Sequence, residues 1–217
     1  MSELLFNELP RPTFRWLRVN HTVSSLAGED TAVQSIAVEA NKDILSPLPV
    51  GTALLDGNYE GANKEAVHVL VEKAEGYAIN VPPKAKEVVG IRIDANARVA
   101  NRFQFIVGEG AELEVQFYVT GSGDALTNVS YLNEYDVKEA GKVVVKKVNL
   151  LPEHVQHIEH RYTKLEEKAD VEYINIEIGG SENILNYYHD LVGQESRMVH
   201  DIAYLGNKEQ NLIFLWL

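Results

Sequence analysis

One nine-residue frame recurs five times along the chain at nearly constant intervals, and no other feature restricts the fold as strongly. The frame is an apolar residue, three mostly polar or turn-forming residues, a small residue, one polar residue and then the start of a strand. VGEGAELEV at 107–115 is its fullest copy, and LEEKADVEY at 165–173 matches it almost position for position. VKEAGKV at 137–143 and VGQESRM at 192–198 are looser, and VPPKAKEV at 81–88 is the loosest, its strand reading as one residue late. The leading residues Val81, Val107, Val137, Leu165 and Val192 are 26, 30, 28 and 27 positions apart. Stacked rungs produce such a period, because each turn returns the chain one strand spacing, about 4.8 Å, along the axis. The small residue then falls at a corner, where a large side chain would collide with the neighbouring rung. The main competing architecture, a β-sandwich, has turns about every 8–12 residues, and the longer period favours the solenoid.

Short alternating runs support this reading. In Glu112 to Val119 the apolar residues Leu113, Val115, Phe117 and Val119 share one face, which marks a half-buried strand. Ile174, Ile176 and Ile178 alternate with Asn175 and Glu177 and are expected to supply core in the same way. Residues 1–76 read differently, as an irregular region broken by Pro10, Pro12, Pro47 and Pro49. One helix is predicted there, capped by Asn63, with Val67, Leu70, Val71 and Ala74 on one stripe and Gly76 as its stop. A strand through Ala66 to Val71 is the alternative, because Val67, Val69 and Val71 alternate with His68. The predicted fold is therefore all-β: a parallel β-helix over 77–217 behind a partly helical N-terminal region, 1–76.

Composition excludes several functions. With 20 Lys+Arg against 32 Asp+Glu the net charge is -12, which repels nucleic acid and anionic membrane surfaces. There is no cysteine, so disulfides, zinc-thiolate sites and thiol nucleophiles are excluded for this chain alone. The N-terminus does not read as a signal peptide and no stretch approaches a membrane span, so a cytoplasmic protein is expected. Asn20-His21-Thr22 and Asn128-Val129-Ser130 match the glycosylation sequon, and without an export signal they read as chance.

The ordered series FQFIVGEGAELEVQFYVTG, LTNVSYLNEYDVKEAGKVVV, HRYTKLEEKADVEYINIEIGG and MVHDIAYLGNKEQNL resembles the SufB/SufD family of iron-sulfur cluster assembly proteins, SufD more than SufB. YAINVPPKAK is similar to the extended segment that precedes that family's first rung, and the resemblance covers about residues 77–213. It implies a right-handed parallel β-helix. It also implies a non-catalytic scaffold role, pairing with a SufB-type subunit and carrying a SufC-type ATPase on C-terminal helices, with clusters assembled on the complex. The chain departs from the pattern by ending at Leu217 in an apolar run, before those helices, so a truncated form is expected, and an uncovered last rung predicts a homo-oligomer. It also lacks the thiolates that usually hold clusters, so no cofactor is expected on this chain alone. The histidine that SufD-type subunits are thought to contribute belongs to the part not present here.

No catalytic or metal-ligating set emerges from the remaining residues. His154, His157 and His160 are spaced by three and would share one face of a helix, but on a strand His157 points away from the other two, and they read as solvated or rung-stacking histidines. His189 and His200 fall in the last rungs, with Asp201 beside His200; His21 and His68 are isolated. Gly108-Glu109-Gly110 and Gly121-Ser122-Gly123-Asp124 lack phosphate-loop spacing and read as turns. The pairs Glu166-Glu167 and Glu29-Asp30 read as solvated corners, and no nucleophile elbow is present. The alternative function is a polysaccharide lyase-like enzyme, since many β-helices cleave acidic polysaccharides with calcium; the chain's negative charge argues against it.

Overall fold

The computed structural model describes residues 3–6, 22–25, 36–52, 64–207 and 209–216. Strands β1 (Glu3–Phe6) and β2 (Thr22–Ser25) pair antiparallel. They are followed by β3 (Ile36–Glu39), β4 (Leu45–Leu48) and the helix α1 (Lys64–Lys73). Then come β5 (Gly76–Val81), β6 (Lys86–Ala95), β7 (Val99–Val107), β8 (Glu112–Gly121), β9 (Asn128–Val137) and β10 (Lys142–Asn149). The last five are β11 (Gln156–Leu165), β12 (Asp170–Glu177), β13 (Glu182–Leu191), β14 (Arg197–Tyr204) and β15 (Asn211–Trp216). From β5 onward successive strands alternate between two parallel sheets, so that one odd and one even strand make each of about five solenoid turns. The odd sheet runs β15-β13-β11-β9-β7-β5 and the even sheet β14-β12-β10-β8-β6. At the first rung β4 pairs antiparallel with β5 and β3 with β6, covering both starting edges.

The recurring frame is the corner between an odd strand and the next even one. Each corner is a four-residue turn, closed by Ala85 N–H to Pro82 O at 3.2 Å, Ala111 to Gly108 at 3.0 Å, Gly141 to Lys138 at 2.9 Å, Ala169 to Glu166 at 3.1 Å and Ser196 to Gly193 at 3.4 Å. The third residue of each turn has a positive φ of 55° to 62°: Lys84, Gly110, Ala140, Lys168 and Glu195. Its N–H then points along the solenoid axis, and Gly110 N–H donates to Glu139 O of the next rung at 2.9 Å, Ala140 to Glu167 at 2.8 Å. The small residue that follows is buried in the stack at Ala111, Gly141 and Ala169, which is the steric reason for its size. Four of the five left-handed positions carry a side chain, at a cost of about 1–2 kcal/mol each. Ala140 is exposed, so Ala140→Gly is expected to raise stability by about 0.5 kcal/mol after the entropy of glycine is set against the relieved strain. Ala140→Val is expected to lower it by roughly 2 kcal/mol in the same denaturant melt.

The structure departs from the sequence expectation at two strands. The first copy does not start its strand late: Lys86 pairs with Glu112 and Glu87 with Leu113, so the phase is kept and Glu87 simply occupies an inward position. The isoleucines Ile174, Ile176 and Ile178 do not supply core. In β12 the inward residues are Val171, Tyr173, Asn175 and Glu177, all buried, while Ile176 and Ile178 are 37% and 39% exposed on the outer face. Hydrophobicity pointed one way and register the other, and register won because Val171 must align with Val143 and Leu113 on neighbouring rungs.

The helix forms where its apolar stripe predicts, although Asn63 lies outside the described residues. Val67, Leu70 and Ala74 bury against Leu132 and Ala100 on the outer face of the odd sheet, and Ala66 packs with Ile158, Ile184 and Ile213. Arg102 of β7 fastens this cover, donating to the carbonyls of Ala74 at 3.2 Å, Pro49 at 2.8 Å and Thr52 at 2.6 Å. The odd strands are thus buried on both faces, and this explains why β9 and β11 show no clean alternation.

Candidate functional site

Inside the solenoid the first rungs are oily. Val89, Ile91 and Ile93 of β6, Phe103 and Phe105 of β7, and Val115 and Phe117 of β8 fill them, with Phe105 stacked on Tyr135 at 4.5 Å. From β10 onward the inward positions turn polar: Lys147 and Asn149, then His157, Glu159, Arg161 and Thr163, then Asn175 and Glu177, then Asn183. These side chains are at most 2% exposed. A buried charge survives only when it is paired and hydrogen-bonded, and here the pairing is complete in sign, two cations against two carboxylates.

Glu159 is the hub. Its Oε1 accepts from Arg161 Nη2 at 2.6 Å and Nε at 3.1 Å and from Asn133 Nδ2 at 2.9 Å. Its Oε2 accepts from Lys147 Nζ at 2.5 Å and Tyr187 Oη at 2.8 Å. Lys147 crosses the lumen from the even sheet and also pairs with Glu177, whose other oxygen accepts from Asn149 Nδ2 at 3.1 Å. Arg161 lies between two rings, its guanidinium carbon 4.2 Å from the Tyr173 centroid and 4.1 Å from that of Tyr187. Burial alone would push the Glu159 carboxyl up, but Arg161 and then Lys147 hold it well below the usual carboxylate range. Glu177 goes the other way, raised first by burial and then by Glu159, with only Lys147 and Asn149 opposing.

His157 extends the network to the neighbouring rungs. Its Nδ1 lies 3.1 Å from both Asn149 Nδ2 and Asn183 Oδ1, and its Nε2 lies 3.0 Å from Tyr131 Oη. Burial, then the nearby Lys147, lowers its pKa to about 3, so the ring is neutral. Both carboxylates of the cluster are engaged and the imidazole is uncharged. Charged side chains from β10, β11 and β12 thus tie the two sheets together across the lumen.

The histidines singled out by spacing do not converge. His154 is exposed in the turn before β11, His157 faces the lumen, and His160 is buried on the opposite face, under the covered side of the odd sheet. His189 and His200 both face the lumen of the last rungs, 5.6 Å and 5.5 Å from the Tyr173 ring, whereas Asp201 points outward. His68 pairs with Glu72 on the exposed side of α1 at 3.0 Å; His21 and the pair Glu29-Asp30 lie outside the described residues. Glu166 and Glu167 pair with Lys138 and Lys168 at a corner; Gly108, Gly110 and Gly123 stand at turns, and Gly121 ends β8. Asn128 and Ser130 are buried, which keeps that sequon from an oligosaccharide transferase in the folded chain. Among the described residues no group of three or more His, Cys, Asp or Glu side chains is arranged to hold a metal ion, and no helix is long and apolar enough to cross a membrane.

Sequence reasoning missed Lys147, Glu159, Arg161 and Glu177, yet a signal was present. Counting back by twos from the corner residue Leu165 gives Thr163, Arg161, Glu159 and His157, and counting forward from Val143 gives Val145, Lys147 and Asn149. Equal parity with a corner residue means an inward side chain. A family model described as SUF system FeS cluster assembly, SufBD core domain, matches residues 91–214, which takes in the last four of the five corners and the polar lumen. No curated protein and no solved structure matches the chain.

Proposed function

Because the chain belongs to the SufBD core family of iron-sulfur cluster assembly proteins, we propose that it is a SufD-type scaffold subunit that pairs with a SufB-type subunit and, through the complex, works with a SufC-type ATPase. The match across the solenoid is the observation that carries this reading. The absence of any cysteine supports the SufD side of it: thiolates are the usual cluster ligands, so the cluster is held at the level of the complex and not by this chain alone. A non-catalytic role fits a lumen whose two carboxylates are each committed to a cation. The workplace proposed is the cytoplasm, where the partners' thiols stay reduced.

Co-expression with tagged SufB-type and SufC-type partners tests the assignment. The expected result is a stable complex containing this chain, retained through size-exclusion chromatography. Recovery of the two partners together without this chain would remove the scaffold reading.

A further inference from the structure

The lumen contains buried donors that the charged cluster leaves unused. Glu159 Oε1 takes two of the guanidinium nitrogens of Arg161, Nε and Nη2. The fork is planar, so the third nitrogen, Nη1, is turned away from Glu159 toward Thr163, the next inward residue of β11. Nη1 is out of contact with solvent and has no hydrogen-bond partner. Thr163 stands in a column of direct register across the odd sheet, Phe105, Tyr135, Thr163 and His189. Its neighbours on the rungs either side bring further unmatched groups, since the Tyr135 hydroxyl and both ring nitrogens of His189 are buried without a partner. Tyr135 and His189 both lie within electrostatic reach of Arg161. Tyr173, from the even sheet, closes the space, its ring 5.8 Å from that of Tyr135, 5.6 Å from that of His189 and 4.2 Å from the Arg161 guanidinium carbon. Its hydroxyl shares a hydrogen bond with Thr163 Oγ1 at 2.6 Å, so one member of that pair keeps a free proton.

We propose that Arg161 Nη1, Tyr135 Oη, the Thr163 and Tyr173 hydroxyl pair and His189 form a binding site for one small monovalent anion of the halide class. A buried donor left unmatched is costly, and groups of this kind turned on one space call for a shared acceptor. Arg161 supplies two N–H groups and a charge that does not titrate, while burial keeps the Tyr135 proton in place by raising its pKa well above the usual tyrosine value. The carboxylates of the cluster are committed elsewhere. Glu159 and Glu177 are bonded to Lys147, Arg161, Asn133, Tyr187 and Asn149. A water molecule would have to place its own protons among these donors, whereas a monoanion accepts from every side. The paired cluster sums to no net charge, so such an ion adds a single negative charge beside Arg161. A divalent anion such as sulfate adds two against the same guanidinium and is disfavoured. The inference goes beyond the scaffold reading and stands on the geometry of the lumen alone.

Equilibrium dialysis of the whole chain against radiolabelled chloride, at constant ionic strength made up with gluconate, tests it. The expected result is saturable binding of one ion per chain, competed by bromide and not by sulfate. Tyr135→Phe removes the hydroxyl and keeps the ring stacked on Phe105. It is expected to weaken chloride about tenfold, the loss of one hydrogen bond to a charged partner. His189→Phe, at a residue that keeps partial exposure, is expected to act in the same direction without a change deep in the core. Tyr131→Phe removes a buried hydroxyl that is already bonded to His157. It is the control, expected to leave chloride affinity within about twofold. No saturable chloride, which would leave ordered water as the partner of these donors, would overturn the proposal. So would binding that Tyr135→Phe and His189→Phe leave unchanged, or that Tyr131→Phe weakens equally. None of these outcomes touches the scaffold reading.

Discussion

Lowering the pH from 7 to 5 is expected to remove about 4 kcal/mol of stability through two buried histidines alone. His157 and His160 are essentially without solvent contact, and burial lowers their pKa values to about 3 and about 4. An exposed histidine in the unfolded chain titrates near 6.5. The folded-state values are depressed, so the unfolded chain takes up protons first. The stabilisation is complete above the unfolded value and is lost progressively as pH falls through 6.5 toward the folded values. Each ring then contributes about 2 kcal/mol of loss by pH 5. His189 and His200, lowered to about 3 chiefly by burial and then by Arg161, act in the same direction. Glu177, raised by burial, opposes the trend as pH falls from its elevated folded value to the ordinary carboxylate range, and Glu159, depressed, adds to the loss below that range. Urea melts at pH 7, 6 and 5 measure the effect. His157→Gln is expected to reduce the slope by about 1.4 kcal/mol per pH unit, the linkage of one proton. A midpoint unchanged between pH 7 and 5 would show that these rings are not buried as described.

Removing Lys147 is the second large expectation. Lys147→Met leaves Glu159 and Glu177 with Arg161 as the one remaining buried cation paired in the cluster among the described residues. Breaking a buried pair from one side costs about 3–5 kcal/mol, because the remaining charge is stranded away from water. Lys147→Met combined with Glu177→Gln restores the balance, one cation to one carboxylate, and is expected to recover more than half of that loss. The difference between the double variant and the sum of the singles gives the coupling directly. Chemical denaturation decides it. A single variant within about 1 kcal/mol of the parent would mean that water reaches the lumen and screens the cluster.

The corners were legible and the lumen was not, for one physical reason. A turn with a left-handed residue followed by a small one is a local requirement, so it marks the sequence wherever it occurs, and VGEGAELEV and LEEKADVEY show it directly. The helix over Lys64–Lys73 was legible because its stripe is local too. What fills the solenoid depends on which parity of each strand faces inward. In β12 the inward parity carries Asn175 and Glu177 while the outward one carries Ile174 and Ile176, with Ile178 just past the strand, so the rule that apolar means interior gave the wrong face. The polar inward residues find their partners only across the lumen, Lys147 on one sheet and Glu159 on the other, 12 positions apart in sequence and joined by no motif. The same inversion leaves Ile176 and Ile178 on the surface.

On the proposed scaffold role, this solenoid supports cluster assembly without holding the cluster itself. Anaerobic reconstitution with iron and sulfide, followed by visible absorption and iron analysis of each separated subunit, tests it directly. The isolated chain is predicted to return without cluster absorption. The complex with its SufB-type and SufC-type partners is predicted to show it, with the iron remaining on the partner when the subunits are parted. A cluster of full absorbance on this chain alone, or a complex that loads equally well without it, would contradict the account.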